Sequence, residues 1–248
     1  MYNIIITAGG TSEKIDNVRK ITNSSSGKLG SVIASQLLEE SGDKIEKIYY
    51  VCSKNSIRPN HEKVAIIEIF DTKDLELEIK KLLKENQIDY FIHSMAVSDY
   101  TVDYVTTAEK LADAIDNKMG SVFETICRCD RGLTDDKISS NYDNLIIKLK
   151  KTPKIISMIK DISPNTYLVG FKLLDNVSKE VLIDTAYNLK VKNKCDLVVA
   201  NDLNNIRNGK HKAFIINSSK DYIEASSKED IASKLIKEMF KNEWLQEN

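Results

Sequence analysis

The sequence predicts a doubly wound α/β domain of three layers on a mostly parallel sheet, and three observations carry that expectation. Short β-rich apolar runs alternate with amphipathic stretches of ten or more residues, the pattern of parallel strands joined by helical crossovers. The segments after several of these runs are rich in small and polar residues, as ligand-binding strand ends are. The composition, 42% hydrophobic and 29% charged with 9 Gly and 3 Pro in 248 residues, is that of an ordinary globule, and the length fits one large α/β domain over 1–248.

In chain order, Asn3 to Thr7 is a strand that breaks at Gly9-Gly10-Thr11. A long polar loop follows, and Gly27 to Leu38 spaces Leu29, Val32, Ile33, Leu37 and Leu38 as a helix. Ile48 to Ser53 and Ala65 to Phe70 read as strands. Asp71 to Asn86 is an amphipathic helix, with Asp71 or Thr72 placed to accept first-turn N–H groups. Tyr90 to Met95 is a further buried strand. Tyr100 to Ser140 has weak periodicity and more charge, so a less ordered flap is expected there, and Lys148 to Lys151 reads as a solvated face near a helix end. Thr152-Pro153 is expected to cap and open a helix over Lys154 to Lys160. The strand Tyr167 to Leu173, the helix Ser178 to Lys192 and the strand Asp196 to Ala200 repeat the alternation. Ala213 to Asn217 with Asp221 to Glu224 reads as a β-hairpin, and Ser226-x-x-Glu229 as a capping box opening a helix to Trp244. The sum is a Rossmann-like domain with a C-terminal β-hairpin and a flap.

With 36 Lys+Arg against 37 Asp+Glu the net charge is −1, so no basic field draws the chain to nucleic acid or to an anionic membrane, and neither partner is expected. No apolar run approaches the roughly 20 residues that span a bilayer. The N-terminus has no signal-peptide pattern, and Cys52, Cys127, Cys129 and Cys195 are too scattered for a disulfide framework, so a cytoplasmic protein with reduced thiols is expected. Cys127-x-Cys129 lacks zinc-site spacing and a neighbouring His.

The loop from Asn23 to Gly30 offers hydroxyls and free N–H groups at a helix N-terminus, which suits phosphate, although a plain cap and turn use the same residues. Asp99 follows a strand, where a carboxylate holds a ribose hydroxyl or a metal ion, or else makes an Asx-turn. Lys137 lies among polar residues, a position open to phosphate contact or to plain solvation. Phe171 closes a strand and either packs on a base or fills the core. Asn201-Asp202 is a similar strand-end pair, and His93, inside an apolar strand, reads as a core histidine.

The motifs Thr7-Ala8-Gly9-Gly10-Thr11-x-Glu13-x-Ile15-Asp16-x-Val18-Arg19-x-Ile21-Thr22-Asn23-x-Ser25-Ser26-Gly27, Ala96-Val97-Ser98-Asp99-Tyr100, Lys137-Ile138-Ser139-Ser140, Thr152-Pro153-Lys154, Gly170-Phe171-Lys172 and Ala200-Asn201-Asp202 occur in this order. Together they resemble the phosphopantothenate-cysteine ligases in their stand-alone bacterial form, over essentially the whole chain and with no flavin-binding decarboxylase domain expected ahead of it. The resemblance implies condensation of 4′-phosphopantothenate with L-cysteine in coenzyme A biosynthesis. CTP would be spent through an acyl-cytidylate, giving phosphopantothenoylcysteine, CMP and pyrophosphate, with Mg²⁺. It implies that Asn23 bonds the carboxylate and the acyl-cytidylate. Arg19 would order that loop or pair with an anionic group, and Lys137 would act from a mobile flap. Gly9, Gly10, Thr11, Ser25, Ser26 and Gly27 would cradle phosphates. Ala96, Asp99 and Ile138 would belong to the nucleotide site, with Asp99 toward ribose or metal, the metal being held either through Asp99 or by the nucleotide phosphates only, and Phe171 would contact the cytosine. It also implies a homodimer whose second subunit completes the phosphopantothenate pocket, with about 100–140 as flap and dimerisation region. Ser139 and Ser140 stand where the fused enzymes carry lysines, so charge compensation is expected from Lys190, Lys192 or Lys194.

A Rossmann dehydrogenase would need a tight Gly-rich turn into the first helix and an acid after the second strand; here the loop is long and Lys54-Asn55 follow. A nucleotide-sensing module is the non-catalytic alternative, discriminated by nucleotide binding without pyrophosphate release.

Overall fold

The computed structural model describes residues 1–117, 121–127, 132–133, 136–207, 211–217 and 220–241. In chain order its elements are β1 (Tyr2–Ala8), β2 (Ser12–Lys14), β3 (Lys20–Thr22), α1 (Lys28–Ser41), β4 (Ile45–Ser53), β5 (Val64–Ile69), α2 (Thr72–Glu85), β6 (Tyr90–His93), β7 (Tyr100–Thr107), α3 (Ala108–Asp116) and α4 (Val122–Cys127). There follow β8 (Leu145–Lys151), α5 (Ile155–Ile162), β9 (Tyr167–Leu174), α6 (Lys179–Lys192), β10 (Leu197–Asp202), α7 (Leu203–Arg207), β11 (Ala213–Ile216), β12 (Tyr222–Ala225) and α8 (Lys228–Met239).

Ile4, Ile5 and Ile6 are fully buried because helices cover β1 from both sides, which is why central parallel strands are continuously apolar. α1 and α8 pack Ile33, Leu37 and Leu235 on one face. α2, α5 and α6 pack Leu75, Ile159 and Ala186 on the other. The main sheet has the order β12-β11-β10-β9-β6-β1-β4-β5. From β5 to β10 neighbouring strands are parallel, and the β11–β12 hairpin extends the sheet antiparallel. The chain order reverses between β1 and β6, and in such sheets ligands bind beyond the strand ends at that reversal.

Several expectations are corrected. The loop after β1 contains the short antiparallel hairpin β2–β3. The first part of the expected flap is the regular strand β7, rich in Thr, Tyr and Val, paired antiparallel with β8. Lys148 to Lys151 therefore lie in a strand, not a helix, where Asp103 holds Lys148 at 2.7 Å and Lys150 at 3.1 Å. Thr152 is not the cap of α5: its hydroxyl donates to Ser98 O at 2.6 Å, and Lys154 occupies the cap. The α8 cap falls one residue later than Ser226, with Ser227 Oγ accepting from Asp230 N–H at 3.0 Å. Asp71, one of the two residues expected to do so, caps α2, and Ser178, expected as the first residue of its helix, is the cap of α6. Cys129 and Trp244 lie outside the described residues.

Candidate active site

The loops leaving β1 and β6 are stitched to each other. Ala96 N–H donates to Gly9 O at 2.8 Å, Thr11 N–H to Ala96 O at 3.2 Å, and Asn23 N–H to Thr11 O at 3.1 Å. Asn23 Nδ2 then donates to Val97 O at 3.0 Å, so this side chain is fixed to the β6 loop. Gly10 is required where the two loops cross, since a Cβ there would lie 1.7 Å from Asn23 O. Thr11 is fully buried and its hydroxyl accepts Ser98 N–H at 2.9 Å. Glu13, also buried, accepts Thr72 N–H at 3.1 Å and the Thr72 hydroxyl at 2.7 Å, which ties the β2 strand to α2.

A cleft of about 640 Å³ opens beyond these strand ends. Asn23, Ser25, Ser26, Ala96, Asp99 and Phe171 line it. Gly27 caps α1 with φ 71°, a left-handed conformation natural to glycine, and offers no capping side chain. Ser25 and Ser26 hydroxyls reach Gly27 N–H and Lys28 N–H only at 3.5 and 3.4 Å, leaving the first turn able to receive an anion. Lys28, Lys154, Lys172 and Lys228 are the lysines on the cleft among the described residues; Lys190, Lys192 and Lys194 do not line it. Lys154 is ion-paired with Asp99 at the exposed rim.

Gly9, Gly10, Thr11 and Gly27 stand behind the lining residues, as backbone and hydroxyl supports. Arg19, Lys137 and Ile138 do not line this cleft; Arg19 and Ile138 bond Asp16, and Lys137 is the neighbour of Ile138 in the chain. The Asp16 carboxylate accepts Val18 N–H, Arg19 N–H, Arg19 Nε, Arg19 Nη2 and Ile138 N–H at 2.5–3.1 Å. Arg19 Nη2 also donates to Ile138 O at 2.7 Å. The Arg19 guanidinium, foremost, holds the Asp16 carboxyl far below the usual carboxylate range, so this cluster stays ionised and is lost only in strong acid. Ile138 itself is buried, and Lys137 beside it is exposed.

Two further residues line the cleft. Asn201, read with Asp202 as a strand-end polar pair or else a turn, is buried with Nδ2 unpartnered among the described residues. His93, read as core, ends β6 with its Nδ1 2.8 Å from the Thr7 hydroxyl. The signal for Asn201 is a polar residue at the carboxyl end of a buried strand, whereas His93 has the local pattern of a core histidine.

Burial pushes His93 down to about 4 from the ordinary 6.5. Its folded-state value is depressed, so below pH 6.5 the unfolded chain takes up a proton that the folded chain refuses, and stability falls as pH drops from 6.5 toward 4. Between pH 7 and 5 this linkage is expected to cost about 2 kcal/mol. Urea unfolding of wild type and His93→Phe at both values checks it, the variant lacking this part of the pH dependence.

Fold and site define a doubly wound α/β protein with a cleft at the β1/β6 reversal and a helix N-terminus without a side-chain cap beside it. The chain belongs to the family described as DNA/pantothenate metabolism flavoprotein, C-terminal domain, whose sequence pattern matches residues 1–122 and 130–242. The coenzyme A biosynthesis bifunctional protein CoaBC of Thermococcus kodakarensis is 32% identical over 200 residues, which cover 81% of this chain and 41% of that protein. The chain thus spans less than half of that relative's length. The crystal structure of the DNA/pantothenate metabolism flavoprotein from Streptococcus pneumoniae superposes with TM-score 0.85 at 36% identity, covering 98% of this chain and 100% of that one. A Cab2 H337A variant in complex with phosphopantothenate-cysteine shares the fold, with TM-score 0.71 at 15% identity over 100% of this chain and 89% of that one. No described helix is long and apolar enough to cross a membrane.

Proposed function

We propose that the chain is a phosphopantothenate-cysteine ligase that activates the carboxylate of 4′-phosphopantothenate with CTP and joins it to L-cysteine, a cytoplasmic step of coenzyme A biosynthesis. The observation that carries the reading is Asn23, fixed by both flanking loops at the strand-order reversal beside the uncapped N-terminus of α1. Family membership supports it, as does the phosphopantothenate-cysteine held by a Cab2 variant of the same fold.

A carboxylate is a poor acylating agent, so the chemistry divides in two. A carboxylate oxygen bonds to the α-phosphorus of CTP as the bond to the β-phosphate breaks, releasing pyrophosphate. The cysteine amine then attacks the acyl carbon, CMP leaves with the bonding electrons, and the amine proton passes to solvent. Asn23 positions the carboxylate through its amide, while Ser25, Ser26 and the first turn of α1 donate to phosphate oxygens. Phe171 packs on the base. Lys28, Lys172 and Lys228 balance the triphosphate in place of the absent flap lysines. Asp99 is the single carboxylate on the cleft among the described residues, a donor set that fits a magnesium ion held mainly by the nucleotide's own phosphates and screening their charge. Arg19 and Lys137 stand outside their own cleft, and in this reading they serve the cleft of the second subunit of a homodimer.

The test combines the protein with 4′-phosphopantothenate, L-cysteine, Mg²⁺ and either CTP or ATP. Pyrophosphate release with CTP that depends on phosphopantothenate, together with the cysteine adduct by mass, is the expected result. Binding of CTP without release would favour a sensor instead, and a monomer at working concentration would remove the role given to the second subunit.

A further inference from the structure

The cleft runs over the strand ends onto both faces of the sheet and so has two unlike arms. On the α1/α8 face lie Phe171, Asn201, Lys28 and Lys228, beside the hydroxyl loop. On the α5/α6 face lie Met95, Val97, Ile155, Ile156 and Leu189, all packed with the second core layer. His93 belongs to this second arm, since its ring meets Phe91 of the same layer edge-on at 5.9 Å.

The hydrogen-bond network assigns the ring's proton. Thr7 Oγ1 accepts Met95 N–H at 3.4 Å, and its own O–H has His93 Nδ1 as its acceptor among the described residues. The neutral ring therefore carries its hydrogen on Nε2. That atom has no partner among the described residues, yet it is not among their sealed, unpartnered polar atoms, which are Gln36 Oε1, Asn201 Nδ2 and His211 Nε2; it keeps access to the cleft. A lone uncharged donor in an aliphatic wall suits a neutral acceptor flanked by alkyl groups, whereas a phosphate or carboxylate is better served by the lysines of the other arm.

We propose that His93 Nε2–H donates to the amide carbonyl of the pantothenoyl chain, whose paired methyl groups occupy the aliphatic arm, and that the nucleotide occupies the other arm. This rests on the ligase reading above. The pantothenoyl chain is the one substrate part that joins an uncharged acceptor to a branched alkyl carbon. His93 is thus a determinant of recognition for the acid substrate, separate from the groups that handle the phosphates.

The test measures steady-state constants and calorimetric binding of 4′-phosphopantothenate for wild type, His93→Ala and Thr7→Val. His93→Ala is expected to weaken phosphopantothenate about 10-fold in KM and Kd, with kcat and the CTP KM unchanged. An analogue with the amide carbonyl replaced by methylene should lose the same factor on wild type and nothing further on the variant. Thr7→Val keeps the ring but frees Nδ1 to hold the proton, and it should weaken phosphopantothenate in the same direction; it decides the matter if His93→Ala fails to fold. A rise in the CTP KM instead, or unchanged constants for both substrates, overturns the assignment while leaving the ligase reading intact. Wild-type protein that neither binds phosphopantothenate nor turns it over overturns the ligase reading itself.

Discussion

Asn23→Asp is expected to lower phosphopantothenate-dependent pyrophosphate release at least about 100-fold with the fold retained. The amide donates to Val97 O at 3.0 Å, and a carboxylate has no hydrogen to give. The substituted group would turn an oxygen toward that carbonyl or swing away, and either movement displaces the loop that continues into Ser25 and Ser26. It would also set a negative charge beside the substrate carboxylate and the nucleotide phosphates, where the wild-type residue is neutral. The loss should fall on kcat more than on the KM for CTP, because the backbone N–H groups of the α1 first turn lie beyond the displaced segment. Kinetics with both substrates varied, alongside a thermal melt matching wild type, check this; equal kcat would remove Asn23 from the reaction.

The second large effect is expected from Gly10→Ala, the smallest side chain that can be added. The new methyl would stand 1.7 Å from Asn23 O and 2.9 Å from Asn23 C, both backbone atoms that no rotamer change can clear. Either the loop after β1 or the Asn23 segment must move, and both are held by the Thr11 and Ala96 backbone bonds. A destabilisation of about 3 kcal/mol is expected, with loss of most activity in whatever folds. Equilibrium urea unfolding reads the first and the pyrophosphate assay the second. A variant of wild-type stability and rate would mean that the two loops do not cross this closely in solution.

How far the sequence could be read depended on burial. β1, β4, β6, β9 and β10 are covered on both sides, so their apolar runs are continuous and stand out against amphipathic neighbours. In the β2–β3 and β7–β8 ribbons the outer strands β3 and β8 are the exposed ones, and β8 carries Leu145, Ile147 and Leu149 at 37–41% exposure among lysines. Charge there mimics a solvated helix, and only the pairing with β7 through Asp103 decides the conformation. Thr152 looked like a cap because Thr-Pro precedes a helix; the tertiary acceptor, Ser98 O, lies 54 residues away and leaves no local mark.

The site divided along the same line. Asn23, Ser25, Ser26, Ala96, Asp99 and Phe171 lie on loops or strand ends near the reversal, and strand order follows from the alternation once its handedness is assumed. His93 could not be separated from an ordinary core histidine, because facing the cleft depends on where β6 ends. The place of Arg19 and Lys137 depends on Asp16, a residue that reads locally as a turn former and gains its reach only from the fold.

That carboxylate has an evolutionary consequence. Asp16 joins the turn between β2 and β3 to a segment 122 residues downstream, and Asn17 N–H adds a bond to Asp136 O at 2.9 Å. The two stretches therefore inherit as one unit. A relative's flap segment grafted here without its own hairpin would arrive with no anchor, and drift in the length of either stretch is constrained by the other. Recombination between family members is expected to succeed where both break points fall outside this pair, and diversity in the flap should travel with diversity in the turn.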